Sequence, residues 1–295
     1  MALNLNLLRS FWHVAGAGSV SGASQIAFIS QPALSKAVRE LESQLGLALF
    51  ERGARGVSLT EAGTTLYEYA GAIFALERDA EDALRAQKSL DGTTLRIGAS
   101  TTIATYVLPP ILARFRAKFP GVRFCLWREN TRRIEERLLA FELDVALVEG
   151  PPHSPKIEQT FWRDEELVLV CAPTHPLAGQ DSVSWDELRA CDWLVRERGS
   201  GTREVVESAL GAHGLPPENA MEIGGAETLK QSVAAGLGIA FVSREAVGDQ
   251  LALRKLVCLS LGGFTLRRPF FWLHLPGRPR SPGARAFEEF EGLHS

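Results

Sequence analysis

The chain has 295 residues, of which 45% are hydrophobic and 23% charged, a composition typical of a folded globular protein with two or three domains. The net charge of −3 excludes a surface that is basic throughout, and no segment approaches the roughly 18 consecutive apolar residues that span a membrane. The N-terminus lacks the basic region, apolar run and cleavage site of a secretion signal, so we expect a cytoplasmic protein.

The charge is distributed unevenly along the chain. Residues 1–58 carry five cations and three anions, whereas residues 59–90 carry three cations and six anions. A mildly basic N-terminal segment on an otherwise acidic chain fits DNA binding that is confined to one end.

The first 46 residues predict three helices. An apolar stripe at helical spacing marks the first, with Leu5, Leu8, Phe11, Trp12 and Ala15. Ser19 can cap a second, short helix that ends near Ala27, and Phe28–Ile29 make a tight apolar turn into the third. Helix, short turn and helix together form the helix-turn-helix arrangement.

The third helix begins with Ser30 as N-cap and Pro32 in its first turn, and Gly46 ends it. Its apolar stripe consists of Ala33, Leu34, Ala37, Val38, Leu41 and Leu45. The opposite face offers amide, hydroxyl and cationic groups, which suit the DNA major groove. We expect base contacts from Gln31, Ser35 and Lys36, and we assign Ser30, Pro32 and Arg39 to the same DNA-binding surface.

Residues 47–59 predict a β-ribbon wing, because two apolar runs flank a tip rich in Gly and Arg. Arg52 and Arg55 at this tip could reach phosphate or the minor groove. The alternative for the whole segment is three helices that only pack together.

The ordered series over residues 18–63 resembles the LysR-type transcriptional regulators. The resemblance is carried by Gly18–Ser19, Ala23, residues 30–42, Gly46, residues 49–52 and residues 59–63. Ser24 stands where that family usually has alanine, and Ala27 where it usually has leucine. Both departures lie on the supporting helix and therefore concern its packing.

Thr60 can cap a long helix that runs to about Lys88. Its apolar seam keeps steps of four and three for more than three heptads, through Ala62, Leu66, Tyr69, Ile73, Leu76, Ala80, Ala83 and Gln87. A second copy is the simplest partner for such a seam, so we expect a homodimer through Leu66, Tyr69, Ile73, Leu76 and Ala80. The alternative is that this helix packs against the rest of its own chain.

After a hinge at residues 89–92, short apolar strands alternate with helices. The strands are predicted at residues 95–99, 122–127, 144–148, 167–172, 193–196, 220–224, 238–242, 255–260 and 269–275. The helices are predicted at residues 102–118, 131–141, 184–190, 202–213, 226–235, 244–250 and 280–291. This alternation predicts parallel sheets with crossover helices, in two small lobes separated by a cleft.

The second half resembles the sensor domain of the same regulators, which is similar to the type 2 periplasmic binding proteins. Residues 95–99, 108–109, 119–120, 143–146, 172–177 and 236–240 carry this resemblance. It implies a winged helix-turn-helix at 1–59, a linker helix at 60–89 and a two-lobed α/β effector-binding domain at 90–295. Lobe one would comprise about 90–162 and 268–295, and lobe two about 163–267. The family also implies a homotetramer on an extended DNA site, with RNA polymerase as a further partner.

Polar residues follow predicted strands and open helices, where ligands of open α/β domains bind. The candidates are Ser100, Thr101, Thr102, Glu149, Ser200, Gly201 and Thr202, with Glu227 as a weaker one. Hydroxyls and amides converging from two lobes describe a site for a small anion or polar acid. The alternative is that these residues only cap helices. Glu149 would repel an anion unless it is protonated or a cation lies nearby.

Residues 98–103, 149–151 and 196–204 resemble the branch of the family that regulates sulfur assimilation, sulfite response and carbon fixation. This implies a small oxyanion or metabolite acid as effector, with sulfite as one candidate.

The sequence does not favour an enzyme. It has no GxSxG, GxxxxGK[ST] or HExxH motif, so we expect no catalytic residue, no metal and no cofactor. Four cysteines without a CxxC pair predict reduced thiols, although some relatives use a redox-sensing pair. The alternative function is a solute-binding protein or an anion-binding enzyme domain with an incidental helical N-terminus.

Overall fold

The apolar stripes of the first three helices meet in one core in the computed structural model, which describes residues 3–53, 56–87, 89–215 and 220–292. The helices are α1 (Leu5–Ala17), α2 (Val20–Ala27) and α3 (Gln31–Leu45). Leu8, Phe11 and Leu34 are fully buried between them. Ser19 caps α2 as predicted, since its Oγ accepts a hydrogen bond from the Gly22 amide at 3.0 Å.

The turn between α2 and α3 is held by a residue that departs from the family pattern. The Ser24 hydroxyl donates to the Ile29 carbonyl at 2.7 Å and so ties α2 to the turn. Phe28 adopts φ 54°, in the left-handed region, and its side chain is 95% exposed. Ser30 is the N-cap of α3, but its hydroxyl makes no capping hydrogen bond. The arrangement confirms the predicted helix, short turn and helix.

The predicted wing is present as β1 (Phe50–Gly53) paired antiparallel with β2 (Gly56–Leu59). Glu42 in α3 anchors its start, because its Oε1 accepts the amides of Leu49 at 2.8 Å and Phe50 at 3.3 Å. The helix after the wing, α4, runs over Glu61–Ala86, and a Cβ on its Gly63 would lie 2.0 Å from the Leu49 carbonyl oxygen. Only glycine permits that approach.

The structure divides the predicted seam of α4 between two environments. Leu66 and Ile73 pack against the core of α1–α3, together with Ala62. By contrast, Tyr69, Leu76 and Leu84 are 66%, 43% and 67% exposed, and Ala80 is exposed beside them. Tyr69, Leu76, Ala80 and Leu84 therefore form an apolar stripe along α4 that the chain itself leaves in solvent.

The second half contains nine strands and seven further α-helices among the described residues. The strands are β3 (Thr94–Ser100), β4 (Arg123–Glu129), β5 (Val145–Glu149), β6 (Glu158–Cys171), β7 (Leu194–Arg196), β8 (Met221–Ile223), β9 (Ala240–Ser243), β10 (Val257–Cys258) and β11 (Leu266–His274). The helices are α5 (Leu108–Lys118), α6 (Thr131–Leu139), α7 (Trp185–Leu188), α8 (Gly201–Ala212), α9 (Ala226–Ala234), α10 (Arg244–Ala252) and α11 (Pro282–Phe290). A π-helical turn at Ile103–Val107 precedes α5.

The expectation of parallel sheets is correct for part of this half only. β3 pairs in parallel with β4 and β5, and β7 with β8. However, β6 and β11 run antiparallel along nearly their whole length, and β9 and β10 also pair antiparallel with β6. Where the sequence suggested only lobe boundaries near residues 162 and 268, two long strands, β6 and β11, thus cross between the lobes, and we name them the hinge strands.

Each lobe has its own apolar core. Lobe one packs α5 and α11 on β3 and β5 around Ile97, Phe115 and Phe287, and α6 on the other side of β5. Lobe two packs α7 and α8 around Leu188 and Leu210, with α9 and α10 against β9. Among the described residues, no helix is both long and apolar enough to cross a membrane.

The exposed stripe of α4 predicts self-association. Burying it against a second copy removes large apolar side chains from water, at about 25 cal/mol per Å². We expect Leu76→Glu with Leu84→Glu to convert the protein to a monomer in sedimentation velocity, without changing its helix content. Ile73→Glu should instead unfold the N-terminal unit. An intact dimer in the double variant would contradict this assignment.

Candidate functional site

The exposed face of α3 presents the residues that the sequence assigns to DNA. Gln31, Pro32, Lys36 and Arg39 are exposed and Ser35 is half-buried, whereas Leu34, Val38 and Leu41 on the opposite face are buried. Arg39 Nε donates to the Ser35 carbonyl at 3.2 Å, which keeps this guanidinium along the helix. The face is polar, cationic and anchored from behind, as a helix that enters the major groove requires.

The two wing arginines are only partly covered by the structure. Arg52 lies in β1, and the structure describes its backbone alone. Arg55 falls outside the described residues.

The cleft between the lobes begins at the carboxyl end of β3. Ser100 is 1% exposed, and its Oγ has no hydrogen-bond partner among the described residues. Thr102 is also buried and lines a cavity together with Thr202 of α8, so hydroxyl-bearing residues of both lobes border it. A buried hydroxyl without a partner costs about 1–3 kcal/mol.

Glu149 is not an isolated anion, because a guanidinium that the sequence analysis missed lies beside it. Arg268, in β11, is 0% exposed, and its Nη1 lies 3.4 Å from Glu149 Oε1. Arg268 Nε donates to Glu165 Oε2 at 2.6 Å, and Nη1 also donates to the Thr202 hydroxyl. One buried cation therefore joins β5, β6, β11 and α8.

Glu165 completes this cluster on the side of lobe two. Its carboxylate accepts a hydrogen bond from the Ser243 hydroxyl as well as from Arg268. Burial raises the pKa of Glu165 above its usual value, against the opposing effect of Arg268, and the neighbouring Glu149 raises it further. Two carboxylates around one guanidinium leave an excess of negative charge unless one is protonated.

The N-terminus of α8 approaches lobe one closely at Gly201. A Cβ there would lie 2.2 Å from the Glu149 carbonyl oxygen, so this position requires glycine. The Gly201 amide donates to Thr131 Oγ1, at the start of α6, at 3.3 Å. Ser200 is buried as the N-cap of α8 without a side-chain capping bond. The amide end of α8 and its hydroxyls thus face the end of β5.

The cavity that Thr102 and Thr202 line has a volume of about 10 Å³, room for about one water. Two buried cations also line it. Arg196 pairs with Glu197 through two contacts of 2.7 Å, and Lys230 lies 2.8 Å from Glu227. A polyatomic anion is larger than this space, so the lobes would part to admit it and then close on it as far as its size allows.

Thr101 and Glu227 lie outside this cavity. The Thr101 hydroxyl contacts the Glu129 carbonyl of β4 at 3.4 Å. Glu227 accepts the Tyr106 hydroxyl at 2.7 Å, and its hydrogen bond with Lys230 lowers the pKa of Glu227 to about 2. Thr101 therefore fastens an edge strand, and Glu227 links lobe two to lobe one.

The residues that sequence reasoning missed are the charged ones, namely Arg268, Glu165, Arg196 and Lys230. Arg268 carried one signal, since it is a cation within the run Leu266–His274, which is otherwise mostly apolar. Its partners Glu149 and Glu165 are far away in the sequence, so nothing local showed that they pair.

The four cysteines are free thiols. Burial raises the pKa of Cys171 to about 11, and burial also raises the pKa values of Cys191 and Cys258. Thiols with raised pKa values are poor nucleophiles. Among the described residues, no group of three His, Cys, Asp or Glu side chains could hold a metal ion.

Both halves of the chain match known families. Residues 5–64 match the family described as "Bacterial regulatory helix-turn-helix protein, lysR family", and residues 88–291 match "LysR substrate binding domain". The RuBisCO operon transcriptional regulator of Allochromatium vinosum is 35% identical over 290 residues, which cover 98% of this chain and 96% of the relative.

Solved structures match over the same span. A full-length OxyR variant from Pseudomonas aeruginosa covers 100% of this chain and 96% of its own, with a TM-score of 0.79 and 22% identity, which shows the fold alone. The regulatory domain of CcmR from Synechocystis PCC6803, in complex with 2-PG, covers 68% of this chain and 95% of its own, with a TM-score of 0.62 and 28% identity.

Arg268→Met should destabilise the C-terminal unit, because Glu149 and Glu165 would remain buried without their cation. Breaking a buried pair typically costs about 3–5 kcal/mol. Arg267→Met, at the exposed neighbouring position, should change stability by less than about 0.5 kcal/mol. Urea unfolding of both variants measures the difference, and equal midpoints would contradict the role given to Arg268.

Proposed function

The chain belongs to the LysR family of transcriptional regulators, and we propose that α3 reads its promoter while a small oxyanion, bound between the two lobes, sets its activity. Regulators of this family bind promoter DNA and small-molecule effectors and form oligomers. The family consists of regulators and not enzymes.

We assign DNA contact to the exposed face of α3, with Gln31, Ser35 and Lys36 at base edges. Glutamine pairs with adenine and lysine with guanine, and the short serine side chain reaches base edges or phosphate. Ser30, Pro32 and Arg39 would set the helix against the sugar–phosphate backbone, with Arg52 and Arg55 of the wing alongside. The exposure of this face, opposite the buried Leu34 and Val38, supports the assignment.

We assign residues 1–59 to DNA binding, 60–89 to the linker helix and 90–295 to effector binding, with the lobes divided near residues 162 and 268. Dimers would form through the exposed stripe of α4, and pairs of dimers would form the tetramer. A regulator of this kind works at the chromosome, so we place it in the cytoplasm, where RNA polymerase would be a further partner.

The observation that carries the effector proposal is the buried, unpartnered hydroxyl of Ser100. It lies two residues before Thr102, which borders the same cavity as Thr202 of the other lobe. The amide end of α8 favours negative charge through its free N–H groups and its dipole. These groups suit a compact anion such as sulfite, and the complex of CcmR with 2-PG supports a small ligand in this type of domain.

The charge of the cluster around Arg268 limits the charge that this ligand can carry. Unless Glu165 is protonated, Glu149 and Glu165 together outweigh Arg268, so a highly charged ion would meet repulsion that hydroxyl groups do not relieve. Small oxyanions and short metabolite acids of low charge fit the cleft best.

Lys36→Ala should weaken specific DNA binding by about 1–3 kcal/mol and relax the preference at one base position. Gln44→Ala, an exposed position near the end of α3, serves as the matched control. Fluorescence anisotropy with a set of single-base operator variants measures both effects. An unchanged affinity and base profile for Lys36→Ala would remove this residue from base readout.

Ser100→Ala should abolish the stabilisation that sulfite gives, while leaving the ligand-free protein at least as stable as the wild type. The reason is that this change removes a hydroxyl that has no partner among the described residues. A bound ligand adds roughly 2.7 kcal/mol at a hundredfold excess over its dissociation constant, which thermal unfolding detects. Thr101→Val is the control, because the hydroxyl of Thr101 already has a partner, the Glu129 carbonyl.

Loss of the sulfite response in Thr101→Val alone, or its retention in Ser100→Ala, would discard this cleft as the effector site. A wild-type protein stabilised by no oxyanion or short acid would discard the oxyanion proposal and leave the regulator assignment standing.

A further inference from the structure

A histidine in the loop between β5 and β6 touches carboxylates from both lobes. His153 lies between β5 and β6, outside every residue assigned to the cleft. Its Nδ1 is 3.0 Å from Oε1 of Glu135, in α6 of lobe one. Its Nε2 is 2.9 Å from Oε1 of Glu204, in the first turn of α8 in lobe two.

This geometry favours a charged ring. A neutral imidazole has one N–H donor and one acceptor nitrogen, so one of its nitrogens would face a carboxylate with a lone pair. Only the imidazolium donates from both nitrogens at once. The amide of His153 also donates to Glu135 Oε2 at 3.1 Å, which fixes the residue to α6. We name His153, Glu135 and Glu204 the clasp.

The clasp joins the two helices whose N-termini border the cleft. Thr131 begins α6 and Gly201 begins α8, and these two residues are hydrogen-bonded to each other at 3.3 Å. Glu204 follows Thr202 by two residues. Holding Glu204 against lobe one therefore also holds the Thr202 hydroxyl near the end of β5.

We propose that His153 is a positioning residue for the effector cleft, whose protonated ring joins the lobes in the closed, ligand-holding arrangement, so that anion binding requires a proton on His153. This inference rests on the proposed binding of a small anion in the cleft. Release of that proton breaks the contact between His153 and Glu204, so that α8 is held to α6 less firmly and the cleft opens more readily.

The surrounding charges favour the protonated ring. Burial lowers the pKa of His153, but the hydrogen bonds and charges of Glu135 and Glu204 raise it, with a net rise above the usual 6.5. The groove beside His153 is also lined by Glu158 and by His274 of β11. Burial and Arg280 lower the pKa of His274 to about 4, so His274 remains neutral where His153 titrates.

The direction of the pH effect follows from this raised pKa. The clasp stabilises the closed arrangement fully below about pH 6.5, and this stabilisation is lost as the pH rises through the higher pKa of the closed form. Anion affinity should fall over the same interval, since ligand and proton favour the same arrangement.

The test is isothermal titration of the full-length protein with sulfate and with nitrate, whose charges stay constant between about pH 6 and 9. Wild-type affinity should fall about threefold to tenfold across this interval, since each unit of pKa change corresponds to a tenfold change in affinity. His153→Gln should bind weakly at every pH with a flat profile. His153→Arg, which stays charged, should retain affinity at high pH.

Three further variants make the result specific. Glu204→Gln removes the lobe-two half of the clasp and should flatten the profile as His153→Gln does. His13→Gln removes a histidine in the N-terminal unit and should leave the profile unchanged. Glu165 is present in every variant, so its contribution to the profile is the same throughout the comparison. A wild-type slope that survives in His153→Gln would overturn the proposal.

A ligand-free measurement separates the clasp from the proposed function. In NMR spectra of protein with labelled histidine, His153 should titrate above the usual value in the wild type, and at a lower pH in Glu204→Gln. Failure of any anion to bind, together with this NMR result, would discard the anion site and keep the clasp. An ordinary pKa for His153, unchanged by Glu204→Gln, would overturn the clasp itself.

Discussion

A single buried guanidinium constrains the whole effector-binding half. Arg268 has no exposed surface, so its charge must be balanced inside the protein. Its partners are Glu149 at the end of β5, Glu165 on β6 and Thr202 on α8, and Arg268 itself lies on the hinge strand β11. Any movement of one lobe against the other must keep these partners or exchange them. The hinge, the cleft and the position of α8 therefore depend on one network.

The DNA-binding half could be predicted from the sequence because its determinants are local. These determinants act within one or two turns of helix. They are the spacing of Leu34, Val38 and Leu41, the cap at Ser19 and the glycine at position 46. The departure at Ser24 was visible, but its bond to the Ile29 carbonyl was not, because that depends on the path of the turn. The spacing along α4 predicts a single seam, whereas Ile73 packs inward and Leu84, absent from the prediction, faces solvent.

In the effector-binding domain, the helices, the strands and the hydroxyl-bearing candidate residues could be predicted from the sequence. Ser100, Thr102 and Thr202 could be proposed because polar residues after apolar strands are visible in one sequence, and the structure buries all three. Strand direction was not visible, so the long antiparallel pair of β6 and β11 was missed. Arg268 could not be paired with Glu149 or Glu165 before the pairing of β6 with β11 was known.

For the cleft to control DNA binding, the effector must favour one of two arrangements of the lobes or of the oligomer. The covalent link through α4 would transmit this change to the DNA-binding domain.

We expect an oxyanion in the cleft to change how this protein engages promoter DNA. DNase footprinting of the full-length protein on its own promoter, with and without sulfite, in wild type and Ser100→Ala, measures this effect. Sulfite should change the length or the bend-induced cutting pattern of the wild-type footprint, and Ser100→Ala should keep the sulfite-free pattern. Identical wild-type footprints with and without sulfite would contradict it.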